Sequence, residues 1–181
     1  MYNSFTAGTK AEPEKYNNEL RSVSQKFKEA GVQAVILDLR YNEGGSMDCV
    51  QLLGTILTSA DRLGEPMAYL EYNDKNTDKY ATILFGTDRE INLDLHSLIA
   101  ITSGTTMGAP EMLIRSLFLE DVDPIATVGS STKGQNVATE QFINEEFLWS
   151  VNPVVCTVYN SQHDTYGAIS PATDLKVSET T

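Results

Sequence analysis

The sequence predicts an α/β domain with largely parallel strands and helices packed outside. Three observations carry that expectation. Apolar runs of strand length alternate with stretches of helical periodicity. VQAVILDLR (32–40) and SLIAIT (97–102) have continuous apolar cores, as strands covered on both faces do. Each is followed by a glycine-bearing turn and then a helical pattern. The 181 residues fit one domain able to bury a core. No repeat, low-complexity tract or linker divides them, so residues 1–181 are expected to form a single domain.

Taken in order, YNSFT (2–6) reads as a short strand, and AGTKAEP as a loop closing on Pro13, a residue suited to a helix start. Leu20, Val23, Phe27 and Ala30 recur at helical spacing between Glu14 and Ala30, and Gly31 follows as a cap. After the strand 32–40 a second helix is expected over Met47–Thr58, with Val50, Leu53, Ile56 and Leu57 on one side. MAYLEY (67–72) and YATILF (80–85) look like strands joined by the polar loop NDKNTD. SLIAIT is the next buried strand, Ala109–Leu119 a third helix and PIATVG (124–129) the strand after it. EEFLWSVNPVVCTVYN reads as a hairpin of strands around Asn152-Pro153, and YGAISPATD as an extended closing segment.

Thirteen Lys+Arg against 25 Asp+Glu leave a formal charge of −12. No basic stripe offsets it, which argues against nucleic acid, whose binding rests on cationic neutralisation of phosphates. No stretch approaches the roughly 20 apolar residues of a membrane span. The N-terminus has neither the basic flank nor the apolar core of a secretory signal, and it opens at once into strand-like residues, which suggests a segment of a longer chain. Cys49 lies among apolar helix neighbours, which suits a buried thiol; pairing with Cys156 is the alternative.

Three turns can carry chemistry. DLRYNEGG (38–45) allows close approach of backbone N–H groups to a bound oxygen. TTMGAPE (105–111) opens a helix whose free N–H groups favour an anionic oxygen. GSSTKGQ (129–135) carries Lys133. Each follows a buried strand, and in parallel sheets such ends gather on one edge. A lysine beside a hydroxyl in a partly dry pocket can act as general base.

With VILDLRYNEGG, LIAITSGTTMGAPEMLIRSL and VGSSTKGQ in that order, the chain resembles the C-terminal processing (tail-specific) peptidase family. YNSF at the start and YGAISP near the end extend the likeness over nearly the whole chain. The resemblance implies a crotonase/Clp-protease-like superhelix of β-β-α units. It also implies a serine nucleophile with a lysine base, no cofactor, polypeptide substrates often taken at their C-terminal tails, and an extracytoplasmic location. By the same likeness Lys133 is the general base, while Gly44, Gly45 and Ala109 form the oxyanion hole. The nucleophile position falls on Gly108, 25 residues before Lys133, so the serine is absent. Pro110 replaces a small polar residue; the glutamine that steadies the lysine in many relatives corresponds to Val137, with Gln135 and Asn136 out of register. No peptide-binding PDZ segment is apparent.

The leading expectation is therefore a peptidase-family domain that binds extended polypeptide and is inactive or impaired. A second keeps an active serine peptidase using Ser103, Thr105 or Thr106 with Lys133, although misplacement by about 1 Å costs ~100-fold. A third is an acyl-thioester pocket on the same fold. His96 and His163 show no metal-ligand spacing, NSQHD (160–164) reads as a polar hairpin or loop rather than part of a Ser-His-Asp set, EDVD (120–123) as a solvated cluster, and Asp38 with Arg40 as a brace for the glycine turn.

Overall fold

The computed structural model describes residues 1–117 and 125–177. The elements are α1 (Lys15–Glu29), β1 (Ala34–Asp38), α2 (Met47–Leu57), β2 (Pro66–Tyr72), β3 (Ala81–Leu84), β4 (Ser97–Thr102) and α3 (Ala109–Leu117), followed by β5 (Ile125–Gly129), β6 (Val137–Thr139), β7 (Phe142–Asn144), β8 (Trp149–Val151) and β9 (Val154–Tyr159). The strands form three sheets: a parallel one ordered β1-β4-β5, an antiparallel one ordered β3-β2-β9-β6, and the separate β7-β8 hairpin. The fold is mixed α/β, and the expectation of largely parallel strands holds only for the first sheet. Periodicity identifies strands but carries no information on which strand an antiparallel neighbour will choose.

Local chemistry explains the element ends. After α1, Gly31 takes φ 68°, its N–H donates to the Lys28 carbonyl, and the Val32 N–H donates to Phe27. That paired arrangement satisfies helix-end carbonyls and needs a residue without a Cβ penalty. α2 buries Val50, Leu52, Leu53, Ile56 and Leu57, and at Gly54 it lies against Met67 and Phe85. Gly54 permits the close approach: a Cβ there would lie 2.9 Å from Met67 Cε and 3.2 Å from Phe85 Cε1. Burying each such side chain contributes roughly 1.5–3 kcal/mol. Cys49 and Cys156 are both buried free thiols, and burial raises the pKa of each.

Several expectations need correction. YNSFT is no strand; Phe5 makes a single parallel bridge to Gly45. β1 is not covered on both faces, because Ala34 and Ile36, which share one face, are exposed, Ile36 at 69%. Asn152-Pro153 is not a hairpin turn: β8 pairs with β7, and β9 pairs with β2 and β6. Proline lacks the donor a ladder requires, so the pairing of segment 137–144 with segment 149–157 is interrupted there, and the turn that joins the two segments lies at 145–148. The end of the third helix beyond Leu117, Pro124 and EDVD lie outside the described residues.

Candidate active site

The three glycine-bearing turns meet at one end of the parallel sheet, since they follow β1, β4 and β5, its three neighbouring strands. They are stitched together by backbone bonds. Met107 N–H donates to the Asn42 carbonyl (3.1 Å), and Lys133 N–H to the Thr106 carbonyl (2.9 Å). Asn42 is fully buried; its amide donates to the Tyr2 carbonyl and its Oδ1 accepts from the Gly44 N–H (3.0 Å). A Cβ on Gly44 would sit 3.5 Å from the Met107 carbonyl oxygen and 3.7 Å from Ala109 N, so the first two turns are in contact.

Gly108 stands at the strand-to-helix corner with φ 69°. An L-residue pays roughly 1–2 kcal/mol in that region, yet nothing lies within 4 Å of where a Cβ would project. The corner is held by Glu111, which is fully buried. Its Oε2 accepts from the N–H of Gly108 (2.9 Å) and Gln135 (2.8 Å), and its Oε1 from the Thr132 hydroxyl (2.5 Å) and Gly134 N–H (2.6 Å). The reach back to Gly108 is half of a capping box. The other contacts lock the lysine loop to the helix that begins at Ala109.

In front of the corner lies a cavity of about 320 Å³, lined by Gly44, Gly45, Gly108, Ala109, Met112, Gln135, Val137, Ala138 and Tyr166 among others. The N–H groups of Gly45 and Ala109 face no hydrogen-bond acceptor among the described residues, whereas that of Gly44 is taken by Asn42. The buried Tyr166 hydroxyl has no hydrogen-bond partner among the described residues. Burial, with the charge of Glu111, pushes its pKa up, so it remains a neutral phenol able to donate.

The model of peptidase family S41 matches residues 2–157. The chain belongs to that family. It is the C-terminal processing peptidase family whose motifs the sequence carries. A crystal structure of a candidate S41 protease from Bacteroides fragilis is 35% identical, with a TM-score of 0.88 over 99% of this chain and 46% of that one. Two more distant structures share the fold. The photosystem II D1 C-terminal processing protease is 18% identical, with a TM-score of 0.63 over 90% of this chain and 40% of that one. A lipoprotein from Streptococcus agalactiae is 20% identical, with a TM-score of 0.58 over 88% and 56%. The chain thus spans about half the length of the solved structures it matches. No curated protein matches it.

Within this S41 domain the predicted residues are placed unequally. Gly44, Gly45, Gly108 and Ala109 line one cavity. Lys133 is tied to the same turn through its backbone, but its side chain is exposed and outside the lining. Gln135 and Val137 both line the cavity. Ser103 and Thr106 are buried, and Thr106 donates to the Leu39 carbonyl while Ser103 Oγ accepts from Tyr41 N–H. Asp38 receives a bidentate bond from Arg40 (2.7 and 3.0 Å), which holds its carboxyl below the usual range. His163 pairs with Glu71 (2.8 Å) beside Tyr69 and Tyr159, while Asn160 closes its turn, so NSQHD is a polar turn. The sequence does not single out Glu111 or Tyr166. A glutamate three residues after the corner was a readable capping signal; Tyr166 left none, because its place depends on a closing segment without periodicity.

Proposed function

We propose that this domain binds an extended polypeptide at the S41 site and, as written, does not cleave it. The observation that carries the reading is Gly108. It occupies the corner where the family resemblance puts the nucleophile, opens onto the cavity, and has no side chain to attack a carbonyl. Around it the supporting parts are present. The Gly45 and Ala109 amides are available for a carbonyl oxygen, Glu111 fixes the corner, and Lys133 follows at the interval expected of a general base.

Binding has a physical route. β6 is the edge strand of its sheet, and Val137, Ala138 and Thr139 line the cavity. Val158 N–H bonds the Asn136 carbonyl, so the alternation of an antiparallel ladder turns the N–H and C=O of Val137 outward. An extended chain can add there as a further strand. An active site built on a neighbouring hydroxyl has less behind it, since Ser103 and Thr106 are committed to backbone groups and Thr105 bonds Ser103 Oγ outside the cavity lining. The thioester reading has no observation in its favour. Recognition of C-terminal tails and an extracytoplasmic location belong to the same proposal; a peptide with a free terminal carboxylate, compared with its amide, tests the first.

The direct experiment pairs anisotropy of a labelled unstructured peptide with electrophoresis of an unfolded protein incubated with the domain. Saturable binding without fragments is expected, and Lys133→Ala leaves the Kd within about twofold, because an exposed surface cation contributes little. Fragments that vanish in Lys133→Ala would overturn the proposal.

A further inference from the structure

The β6–β9 ladder does not end at the cavity. After Thr139 opposite Val154, the same two chain segments continue as the β7–β8 hairpin, with Phe142 opposite Val151 and Asn144 opposite Trp149. Direct cross-strand partners share a face, so Phe142, Trp149 and Val151 lie together. They are 45–49% exposed, and the turn adds Phe147 at 69% and Leu148 at 90%. A two-stranded hairpin alone is marginal in water, and a contiguous apolar patch marks an interaction surface.

Charge and continuity select the occupant. From residue 134 to 175 there is no lysine or arginine, whereas the ribbon carries Glu140, Glu145 and Glu146. None of the three makes an ion pair among the described residues. Two such hairpins would bring like charges together, and an anionic lipid surface would be repelled. A cationic chain would be attracted. The free edge of β6 at the cavity leads on to β7 after an interruption at residues 140–141, so residues 137–144 span roughly 26 Å at about 3.3 Å per residue.

We infer that the hairpin 142–151 is the outer half of the polypeptide site and takes a stretch of bound chain that is apolar and flanked by lysine or arginine. The inference rests on the reading that this domain binds extended polypeptide. It assigns the specificity of that binding to a surface distinct from the three turns.

The test uses two labelled unstructured peptides with one apolar core, flanked by lysines in one and by glutamates in the other. Anisotropy is measured at low salt with the unaltered domain and three variants, each checked by thermal melting. The unaltered domain binds the lysine-flanked peptide at least ~10-fold tighter, as charge complementarity requires. Phe147→Ser with Leu148→Ser weakens both peptides by ~10-fold, the scale of lost apolar anchors. Glu145→Lys with Glu146→Lys inverts the preference, a result that damage to the fold cannot mimic. Val137→Pro removes the outward N–H at the cavity and weakens both peptides without changing the preference. If the hairpin variants bind like the unaltered domain while Val137→Pro does not, the hairpin inference is wrong and the polypeptide reading stands. If Val137→Pro is without effect but the hairpin variants matter, the hairpin stands and the cavity reading falls. Absence of any binding overturns both. A hairpin variant that converts a sedimenting dimer to a monomer shows that a second copy covers the patch, and also overturns the inference.

Discussion

Glu111 is buried and accepts four hydrogen bonds, from the Gly108 corner and from three residues of the loop that carries Lys133. Removing it strands three backbone donors inside the protein. Glu111→Ala is expected to cost about 2–4 kcal/mol, since bonds to a charged acceptor are each worth more than neutral ones and buried orphans are costly. Urea denaturation measures this as a lower midpoint, and Glu111→Gln should recover part of the loss. Asp38 supplies a pH-dependent counterpart. Its hydrogen bonds from Arg40 lower its folded pKa, so the pair stabilises the turn fully above the unfolded value of about 4 and loses that contribution as pH falls through the lower folded value. Arg40 is partly in water, which limits the effect to under about 1 kcal/mol. Asp38→Asn should therefore be less stable than the unaltered chain at pH 7 and converge with it in acid, as followed by melting temperature across pH. At this scale the glycines that line the cavity stand in turns the sequence singled out by spacing, whereas the Lys133 side chain, singled out in the same way, lies outside the lining. Glu111 was half legible: its capping position is local, but its partners at 132–135 are brought to it only by the fold.

Among the elements, the helices were legible because each has apolar residues at helical spacing, and α1 also has a defined stop at Gly31. β6 and β7 were not, since three residues are too few to show alternation and QNVATE is mostly polar. Asn152-Pro153 misled for a related reason. Turn chemistry marks where a strand stops but not which strand it leaves, and here it separates two pairings. The α2–β2 contact gives a prediction of its own. Gly54→Val would force side-chain volume against Met67 and Phe85, and overpacking of this kind costs about 1–3 kcal/mol. The expected signature is a lower denaturation midpoint with an unchanged m-value.

Over the whole molecule, the parallel sheet brings the three turns to one end, and the antiparallel sheet supplies the wall and ribbon beside them. This gathering of turns could be foreseen from the alternation of strands and helices; the division into parallel and antiparallel sheets could not. The charge of −12 acts at the same scale. Binding of a lysine-flanked peptide should weaken as salt rises, because a Debye length shrinking from about 30 Å at 0.01 M to about 8 Å at 0.15 M screens the acidic surface. Titrations at several ionic strengths test this.

The reading that most needs testing is that the corner at Gly108 is a peptidase corner whose nucleophile position is held by glycine. Incubating one unfolded protein with the unaltered chain, Gly108→Ser and Gly108→Ser/Lys133→Ala, and resolving the products by mass, tests it most directly. Fragments are expected with Gly108→Ser alone, since the site has open space for the side chain and its neighbours already hold the turn. Cleavage by the unaltered chain that requires Lys133, or silence from a folded Gly108→Ser variant, would contradict it.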